Sequence, residues 1–295
     1  MNQNNFQKLL FIINPDSGNK KGDIRLPIQK YFNSSQHSIL LYNLAENDSP
    51  EKIKEKTEEF QPDKVIAVGG DGTIKLVAES LLQTQVPLGI LPAGSANGMA
   101  KELGIPDDPG RALDIIVKGQ SKKIHLVDIN DHRCIHLSDI GFNAFVVKKF
   151  ETQNKRGMWG YIKAAWKVLG RNPVMQVSMQ IDCEYIQREA AMVVIANATK
   201  YGTGVLINPK GSLEDDFFEV VIVRKIALSE IFKMMITHSP YNPAKTELLQ
   251  TRSLKIASKH KVHFQVDGEY LGKVNSIIAS ILPAALQVIV PLQKD

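Results

Sequence analysis

A glycine-rich turn with a single carboxylate, Gly69-Gly70-Asp71-Gly72-Thr73, follows an apolar run at residues 64–68. In front of a helix, such glycines let backbone N–H groups approach phosphates, and the helix N-terminus favours their negative charge. Asp71 could share a Mg²⁺ with those phosphates or accept a proton from an attacking hydroxyl. The same residues also fit an ordinary turn with a capping aspartate, because short glycine motifs recur by chance.

A second polar turn, Gly94-Ser95-Ala96-Asn97, follows the next apolar run and offers hydroxyl, amide and backbone donors. Asn14 and Ser17 form a third polar turn after the first apolar run. Ser95 could instead cap a helix that runs through residues 99–103. Three polar turns at one edge of a sheet indicate a nucleotide site more than they indicate simple chain reversal.

The elements that would position these turns follow from the alternation of short apolar runs with amphipathic stretches over the first 120 residues. This pattern predicts parallel strands joined by helices. Strands are predicted at 8–13, 38–42, 64–68 and 88–91, and helices at 23–32, 51–60, 74–82 and 99–103. Ser49 is expected as an N-cap, with Pro50 at the first helical position. All three turns then follow strands, at the edge where open α/β sheets bind ligands.

The remainder of the chain is richer in strand patterns. Alternating segments are predicted as strands at 124–129, 134–137, 174–181, 190–196, 218–223 and 262–266. Only the segments 157–169 and 229–237 have a helical pattern. This indicates a second, mostly antiparallel domain of the sandwich type.

Composition excludes several classes of protein. The 295 residues are 43% hydrophobic and 23% charged, the balance of an ordinary globular chain, and no apolar segment is long enough to cross a bilayer. The first residues lack a basic stretch followed by an apolar run, so we expect a cytoplasmic protein. Cys134 and Cys183 lack zinc spacing, and His132, Cys134 and His136 lie in a stretch predicted as a strand.

The formal net charge of +5 favours anionic partners such as nucleotides or an acidic membrane surface. The basic residues are dispersed and are not interleaved with aromatic residues, so we expect no nucleic-acid partner. A segment with aromatic residues at 158–162 and Trp166 is flanked by basic residues and could meet an anionic interface. These basic residues are Lys148, Lys149, Lys155, Arg156, Lys163 and Lys167. The aromatic residues could equally pack a helix onto the second domain.

In chain order, the polar turns resemble the catalytic domain of the diacylglycerol kinase and sphingosine kinase superfamily. The early motifs that carry the resemblance are Asn14-Pro15-x-Ser17-Gly18, the turn from Gly69 to Thr73, and Leu91-Pro92-x-Gly94-Ser95-x-Asn97. Later family motifs are matched by Val127-Asp128, Gly141 to Ala144, Ala196-Asn197, Tyr201 to Gly204, Leu213 to Asp215 and Val266 to Glu269. The resemblance spans nearly the whole chain, and the ordered set is more specific than any one motif.

The resemblance implies a doubly wound, Rossmann-like α/β domain at residues 1–125, followed by a β-sandwich domain for the lipid substrate at 126–283. A last strand at about 284–295 would return to the first domain. ATP and Mg²⁺ would bind in the cleft between the domains, and a lipid at the membrane surface would be the acceptor. Whether the protein forms a homodimer is left open by the resemblance.

The resemblance also implies a role for individual residues. Those expected to hold ATP are Asn14, Ser17, Gly69, Gly70, Gly72, Thr73, Gly94, Ser95 and Asn97. Glu269 would be the general base, with Asp71 and Asp128 organising Mg²⁺ and water around it. In the sphingosine kinase branch the aspartate of the glycine turn is the base, so Asp71 and Glu269 are exchangeable in that role. Asp215 resembles a ligand of a separate structural Mg²⁺.

Two positions depart from the family. Gly98 stands where bacterial diacylglycerol-kinase-like members usually have Asp, which is closer to sphingosine and ceramide kinases and leaves the acceptor lipid open. Asp216 stands where the family commonly has Gly, which puts the metal site at Asp215 in question. Without the resemblance, Glu269 would be interpreted as a solvated residue after an Asp-Gly hairpin turn, and Asp215 as an ordinary loop acid.

The sequence thus predicts an ATP-dependent lipid kinase with a diacylglycerol-like or sphingoid acceptor, cytoplasmic and peripherally attached to membrane. A soluble-substrate kinase of the NAD kinase type, which shares the glycine-aspartate turn, is the first alternative. A non-catalytic nucleotide or lipid sensor of the same fold is the second.

Overall fold

The computed structural model describes residues 6–17, 23–151, 174–199, 208, 211–226 and 245–292. The helices predicted at 157–169 and 229–237 lie outside these residues. The chain divides into two compact units, of which unit 1 comprises Met1–Ile124 with Ala284–Asp295 and unit 2 comprises His125–Pro283. Strand β5 (Gln120–Ile129) and strand β14 (Glu269–Val290) both run through a boundary of this division.

Unit 1 alternates strands with helices along the chain. Its strands are β1 (Lys8–Ile13), β2 (Ser38–Asn43), β3 (Lys64–Gly69), β4 (Leu88–Pro92) and the last residues of β14. Its helices are α1 (Arg25–Phe32), α2 (Pro50–Phe60), α3 (Asp71–Leu81), α4 (Gly98–Glu102) and α5 (Pro109–Lys118). The predicted strands and the helices α1 to α4 are present, whereas α5 was not predicted.

Strands β1 to β4 of unit 1 are parallel, in the order β2-β1-β3-β4, and β14 joins β4 in parallel through the pair Val288 and Leu88. Strands β3 and β4 are buried along their whole length, as expected for strands covered on both faces. The helices pack in two pairs, α1 with α5 and α2 with α3. The doubly wound, Rossmann-like prediction is therefore confirmed for this part of the chain.

This strand order places the topological switch point between β1 and β3. The chain leaves β1 for β2 on one side and then crosses to β3 on the other side of β1. In open α/β sheets the crevice outside the carboxyl ends of such strands is where ligands bind. The turn from Gly69 to Thr73 lies at the end of β3 and begins α3, so the fold places it at this crevice.

Helix starts in unit 1 follow local sequence signals. Pro50 is at the start of α2 with Ser49 at the N-cap, as predicted, although the Ser49 side chain makes no capping hydrogen bond. Asp108 caps α5, because its carboxylate accepts a hydrogen bond of 2.9 Å from the backbone N–H of Arg111. Helix α4 is short and takes Asn97, with φ of 52°, as its N-cap.

Unit 2 consists mainly of strands. They are β6 (His132–Cys134), β7 (Leu137–Gly141), β8 (Met175–Ile181), β9 (Glu184–Ala190), β10 (Met192–Ala196), β11 (Phe218–Val223), β12 (Thr246–Thr251) and β13 (Ser253–Val266), with parts of β5 and β14. One helix of its described residues, α6 (Phe142–Glu151), contradicts the expectation that only two later segments would be helical. Its first residues, Phe142 to Val147, are almost entirely apolar and therefore hide a helical period.

The strands of unit 2 pair antiparallel in the order β12-β11-β10-β7-β13-β14, and β8 lies between β13 and β9. One apolar core collects buried side chains from most of these strands, including Met179, Phe218 and Phe264. The predicted β-sandwich is confirmed. His132 and Cys134 belong to strand β6, as the sequence predicted, whereas His136 lies between β6 and β7 and was wrongly placed in a strand.

A bidentate ion pair links strands β9 and β12, which are not neighbours in the sheet. Arg188 donates from Nε and Nη2 to the two carboxylate oxygens of Glu247, each at 2.8 Å, and Arg224 donates to Oε2 at 3.2 Å. The pKa of the Glu247 carboxyl is lowered, chiefly by the hydrogen bonds from Arg188 and further by Arg224, against the opposing effect of burial. The pair therefore stabilises the fold while the carboxyl is ionised.

We expect this contribution to be fully present above pH 4.5, the ordinary pKa of glutamate, and to be lost as pH falls through the lowered pKa of the folded state. Glu247→Gln should lower the free energy of unfolding by about 1–2 kcal/mol at pH 7. The difference from the wild type should shrink on acidification, as measured by urea unfolding at several pH values. Glu189→Gln on β9, the strand of Arg188, is the control, and a pH-independent difference for Glu247→Gln would contradict the assignment.

Candidate active site

Asn14 links the end of β1 to the glycine turn after β3. Its backbone N–H donates to the carbonyl of Val68 at 3.0 Å, and its Nδ2 donates to Thr73 Oγ1 at 3.1 Å. Its own carbonyl accepts the N–H of Ser17 at 3.2 Å, which closes the first polar turn. Gly18 lies outside the described residues. The structure therefore brings Asn14, Ser17 and Thr73 together at the switch point, as the sequence predicted.

The two glycine turns press against each other backbone to backbone. A methyl group on Gly94 would lie 2.5 Å from Gly70 Cα and 2.9 Å from Asn97 Oδ1. A methyl group on Gly69 would collide with the side chain of Thr73. Gly69 and Gly94, two of the predicted phosphate-binding glycines, are thus required by packing inside the chain, and a methyl group on Gly70 would lie 3.2 Å from Gly94 Cα.

Gly72 is different from the other glycines of the turn. It is exposed, lies in the first turn of α3, and a methyl group placed on it would meet no atom within 4 Å. The first N–H groups of a helix have no partner within the helix, and together with the helix dipole they favour an anion. The open side of the turn at Gly72 therefore fits a phosphate group, and the exposed Ser95 adds a hydroxyl from the neighbouring turn.

Asp71 fixes the second glycine turn. Its Oδ2 accepts the backbone N–H of Gly98 at 3.0 Å, and its Oδ1 accepts that of Met99 at 2.9 Å. These are the first two N–H groups of α4, so Asp71 supplies the cap that the side chain at the N-cap does not. The alternative in which Ser95 caps this helix is wrong, because the N-cap position is Asn97.

Asn97 uses both ends of its amide inside unit 1. Its Oδ1 accepts the N–H of Gly94 at 2.9 Å, and its Nδ2 donates to Asp107 Oδ1 at 2.8 Å. Asn97 is 7% exposed. Asn97 therefore shapes the second glycine turn. The sequence had predicted that it would contact ATP directly. Asp107 was missed by sequence reasoning, and its place just before the Asp108 cap was the one available signal.

Glu269 is the first residue of β14 and is exposed. It pairs with Val266 across a two-residue turn, Asp267-Gly268, in which both residues have positive φ, at 50° and 86°. The Asp-Gly signal in the sequence therefore predicted this hairpin correctly. The Asp267 carboxylate accepts the N–H groups of Ile135, His136 and Leu137 at 2.9–3.1 Å, which anchors the turn.

A buried carboxylate supports the same turn from inside unit 2. Asp139 is 1% exposed, and its Oδ2 accepts hydrogen bonds from Gln265 Nε2 at 2.6 Å and from Asn143 Nδ2. Gln265 Oε1 in turn accepts the N–H of Gly268 at 2.7 Å. This network was missed, although the motif from Gly141 to Ala144 pointed to Asn143. It holds the backbone that carries Glu269.

Asp128 and Asp215 lie on other elements of unit 2. Asp128 in β5 forms an ion pair with Arg133, its partner across the hairpin with β6. Asp215 Oδ1 accepts the N–H of Phe217 at 3.3 Å in the turn before β11. Nearby Glu219, which was not predicted, is buried, and burial raises the pKa of its carboxyl; the charge of Asp215 raises it further, against hydrogen bonds from Gln250 and Asn208.

Metal binding stays a prediction. Among the described residues, no group of three or more His, Cys, Asp or Glu side chains could hold a metal ion. Mg²⁺ commonly takes only one or two protein carboxylates and completes its shell with phosphates and water. Asp71 offers such a carboxylate beside the open side of the turn, and Asp215 offers one in unit 2.

The predicted membrane segment is described only at its start. Lys148 and Lys149 lie in the last turn of α6. The residues from Lys155 to Lys167, including Trp159 and Trp166, lie outside the described residues. Within the part of the chain that the structure describes, no helix is long and apolar enough to cross a membrane.

Comparison with known proteins matches each half of the chain to a described protein family. Residues 8–129 match the family described as diacylglycerol kinase catalytic domain, and residues 138–290 match the YegS C-terminal NAD kinase beta sandwich-like domain. A diacylglycerol kinase of Staphylococcus epidermidis is 27% identical over 75% of this chain and 72% of its own length. An uncharacterized protein of Synechocystis is 28% identical over 96% of this chain and 70% of its own length.

Solved structures show the same fold. A crystal structure of a putative diacylglycerol kinase from Bacillus anthracis superposes with a TM-score of 0.73 at 21% identity, covering 97% of this chain and 98% of that chain. An NAD kinase from Archaeoglobus fulgidus, solved in complex with ATP, superposes with a TM-score of 0.55 at 11% identity, covering 96% and 93%.

The contrast between Gly94 and Gly72 gives a testable prediction. Gly94→Ala should lower the free energy of unfolding by about 1–3 kcal/mol, because the methyl group overpacks against the Gly70 backbone. Gly72→Ala should leave stability unchanged or slightly raised, since alanine is the better helix former, yet it should weaken nucleotide binding by filling the open space. Denaturant unfolding and calorimetric titration with ATP check both. Equal loss of stability in the two variants would contradict this division of roles.

Proposed function

Because the chain belongs to the family that joins a diacylglycerol kinase catalytic domain to a YegS-type C-terminal β-sandwich, we propose that it transfers the γ-phosphoryl group of ATP to a lipid hydroxyl. The acceptor class is a diacylglycerol-like or sphingoid lipid. The observation that carries the proposal is the open helix N-terminus at Gly72, placed by the fold at the switch point of a doubly wound sheet.

In this proposal, ATP supplies the phosphoryl group, and the chain's own residues bind and orient it. The N–H groups at the start of α3 and the hydroxyl of Ser95 face the phosphates, while Asn14 and Thr73 hold the two sides of the crevice together. Phosphoryl transfer asks mainly for positioning and charge neutralisation. A Mg²⁺ held by Asp71 would neutralise phosphate charge. Asp128 forms an ion pair with Arg133 in unit 2, and its role stays the one that the family resemblance implies.

We assign the proton acceptor to Glu269 and a positioning role to Asp71. A general base must reach the hydroxyl it deprotonates, and Glu269 is exposed on a turn anchored by Asp267 and Gln265. Both carboxylate oxygens of Asp71 already accept backbone N–H groups of α4. The family resemblance leaves the two residues exchangeable, and these contacts support the proposal of Glu269 as the base.

The acceptor class also implies a meeting with membrane. Lipid hydroxyls of this kind reside in bilayers, so we propose that the chain acts at a membrane surface from the cytoplasm. The basic residues Lys148 and Lys149 at the end of α6 support this proposal through attraction to anionic headgroups.

A second candidate function is phosphorylation of a soluble acceptor such as NAD. The superposition on an NAD kinase favours it as an alternative, since the two share the fold over nearly the whole chain. The diacylglycerol kinase names of the relatives rank it below the lipid reaction.

The direct experiment incubates the purified chain with labelled ATP, Mg²⁺ and a panel of acceptors. The panel contains diacylglycerol, sphingosine, ceramide and NAD, and mass spectrometry identifies the product. We expect a lipid monophosphate. Transfer to NAD alone would establish the second candidate, and ATP binding without transfer to any acceptor would contradict both and favour a sensor.

Replacing Glu269 by Gln should lower turnover about 10²- to 10⁴-fold, the usual contribution of a general base, and leave ATP affinity intact. Glu184→Gln is a matched control, because Glu184 likewise begins a strand after a two-residue turn that starts with a positive-φ aspartate, Asp182. Its turnover should stay at the wild-type value. Wild-type turnover in Glu269→Gln would sink the assignment of the base.

Asp71→Asn should weaken ATP binding measured without Mg²⁺ and lower the free energy of unfolding by about 1–3 kcal/mol. Asn keeps one acceptor oxygen but turns an NH₂ group toward a backbone N–H that needs an acceptor. Calorimetry and urea unfolding measure both. Unchanged stability and ATP affinity together with abolished transfer would contradict the positioning role of Asp71.

A further inference from the structure

A second site is formed within unit 2, on the outer part of strand β13. A cavity of about 670 Å³ is lined there by Phe145 of α6, by Met175 at the start of β8, and by residues 258–263 of β13. None of the roles assigned above to Glu269, Asp128 or Asp215 uses this cavity.

The rim of the cavity is made by a bulge of three basic residues. Pairing between β13 and β14 stops at Ala257 with Ser276 and resumes at Val262 with Val274, so four residues of β13 face one residue of β14. Pairing between β13 and β8 ends at Ser258. The segment from Lys259 to Lys261 therefore pairs with neither neighbouring strand, and its three residues are exposed. Bulges redirect side chains, and here they direct positive charge to the mouth of a cavity.

Further lysines converge on the same place. Lys273 lines the cavity and is the cross-strand partner of His263. Lys149 Nζ lies 5.7 Å from the ring centroid of Phe145, and Lys148 Nζ lies 5.2 Å from that of Tyr270, whose hydroxyl is 2.7 Å from His263 Nδ1. Burial, together with the positive charges of Lys273, Lys148 and Lys149, lowers the pKa of His263 to about 4.

The charge around the cavity is therefore strongly one-sided. His263 is neutral at pH 7, so the positive charge comes from lysines. Among the described lining residues the one acid is Glu189, and its Oε1 accepts a hydrogen bond from Gln176 at 3.3 Å. A cavity with these charges selects an anionic ligand.

The floor of the cavity is apolar. The ring of Phe145 stacks on that of His263 with centroids 4.4 Å apart and an angle of 2° between the planes. Met175 and Val262 add aliphatic surface, and Val174, which is 52% exposed, extends it outward. An apolar floor beneath a basic rim suits a molecule with an anionic head and a hydrocarbon tail.

We propose that this cavity binds the phosphate headgroup of an anionic bilayer phospholipid, with part of an acyl chain lying against Phe145 and Val174. The bound lipid is a second lipid and not the acceptor. Lys273 is four residues along β14 from Glu269, which corresponds to about 13 Å at the rise of a strand. The cavity thus attaches the sandwich unit to the membrane on which the acceptor resides, and it goes beyond the proposed reaction.

The test is co-sedimentation of the full chain with vesicles of phosphatidylcholine alone or mixed with phosphatidylglycerol, without ATP or acceptor lipid. We expect binding only to the mixed vesicles. Each lysine near an anionic surface contributes about five-fold in affinity, so Lys259→Ser with Lys261→Ser should weaken binding about 25-fold. Both side chains are exposed, and the double variant should unfold at the wild-type denaturant concentration.

The matched control removes the same charge elsewhere, by Lys30→Ser with Lys54→Ser at exposed positions of α1 and α2. It should change vesicle binding by less than about two-fold if the cavity lysines are specific. Equal losses of vesicle affinity in the two double variants would overturn the proposal. So would binding of the wild type to pure phosphatidylcholine vesicles as strong as its binding to the mixed vesicles.

Two further measurements ask whether the bound phosphate belongs to a lipid or to a soluble molecule, and whether the apolar floor takes part in binding. Inorganic phosphate and glycerol 3-phosphate should displace vesicles only weakly, and Val174→Asn, which removes apolar surface without adding charge, should weaken vesicle binding. Full displacement by either soluble phosphate, or no effect of Val174→Asn, would assign the cavity to a free phosphate instead. The variant with Lys259→Ser and Lys261→Ser should still transfer phosphate to an acceptor lipid dispersed in neutral detergent. Absence of this transfer in the wild type would count against the kinase proposal and would leave the lipid-binding cavity untouched.

Discussion

The contact between two glycine turns is the constraint on which the nucleotide-binding unit depends. The Asp71 carboxylate accepts the first two N–H groups of α4, and the Gly70 and Gly94 backbones approach too closely for a side chain on Gly94. This contact turns two loops into one rigid surface. It also explains why a motif rich in glycine leaves open space only at Gly72, where a phosphate can approach the start of α3.

The sandwich unit fixes its exposed acid by the same physical means. Asp267 accepts three consecutive backbone N–H groups, and buried Asp139 holds Gln265, which holds Gly268. Carboxylates that accept backbone N–H groups form strong hydrogen bonds, so these turns are held in one geometry. In both units, carboxylates whose oxygens already accept hydrogen bonds hold the exposed groups in position. This division supports Glu269 as a base and Asp71 as a positioning residue.

Much of the fold could be predicted because its signals are local. Buried parallel strands are short apolar runs, the turns after them carry Gly, Asn and Pro, and Asp267-Gly268 predicts its own hairpin. Helix α6 was missed because an apolar segment has the same appearance in a buried helix and a strand. The pairings of Asp71 with Gly98 and of Asp139 with Gln265 join distant parts of the chain, and a single sequence contains no signal for such pairs.

The central claim is that the open side of the turn at Gly72 receives phosphates, while the side facing α4 is internal. Amide NMR during titration with ATP tests it most directly. We predict a large shift and slowed hydrogen exchange at the Gly72 amide, with the Gly98 amide protected both before and after ATP is added because Asp71 already accepts it. Saturating ATP that leaves the Gly72 amide unchanged, or that releases the Gly98 amide to exchange, would contradict the account.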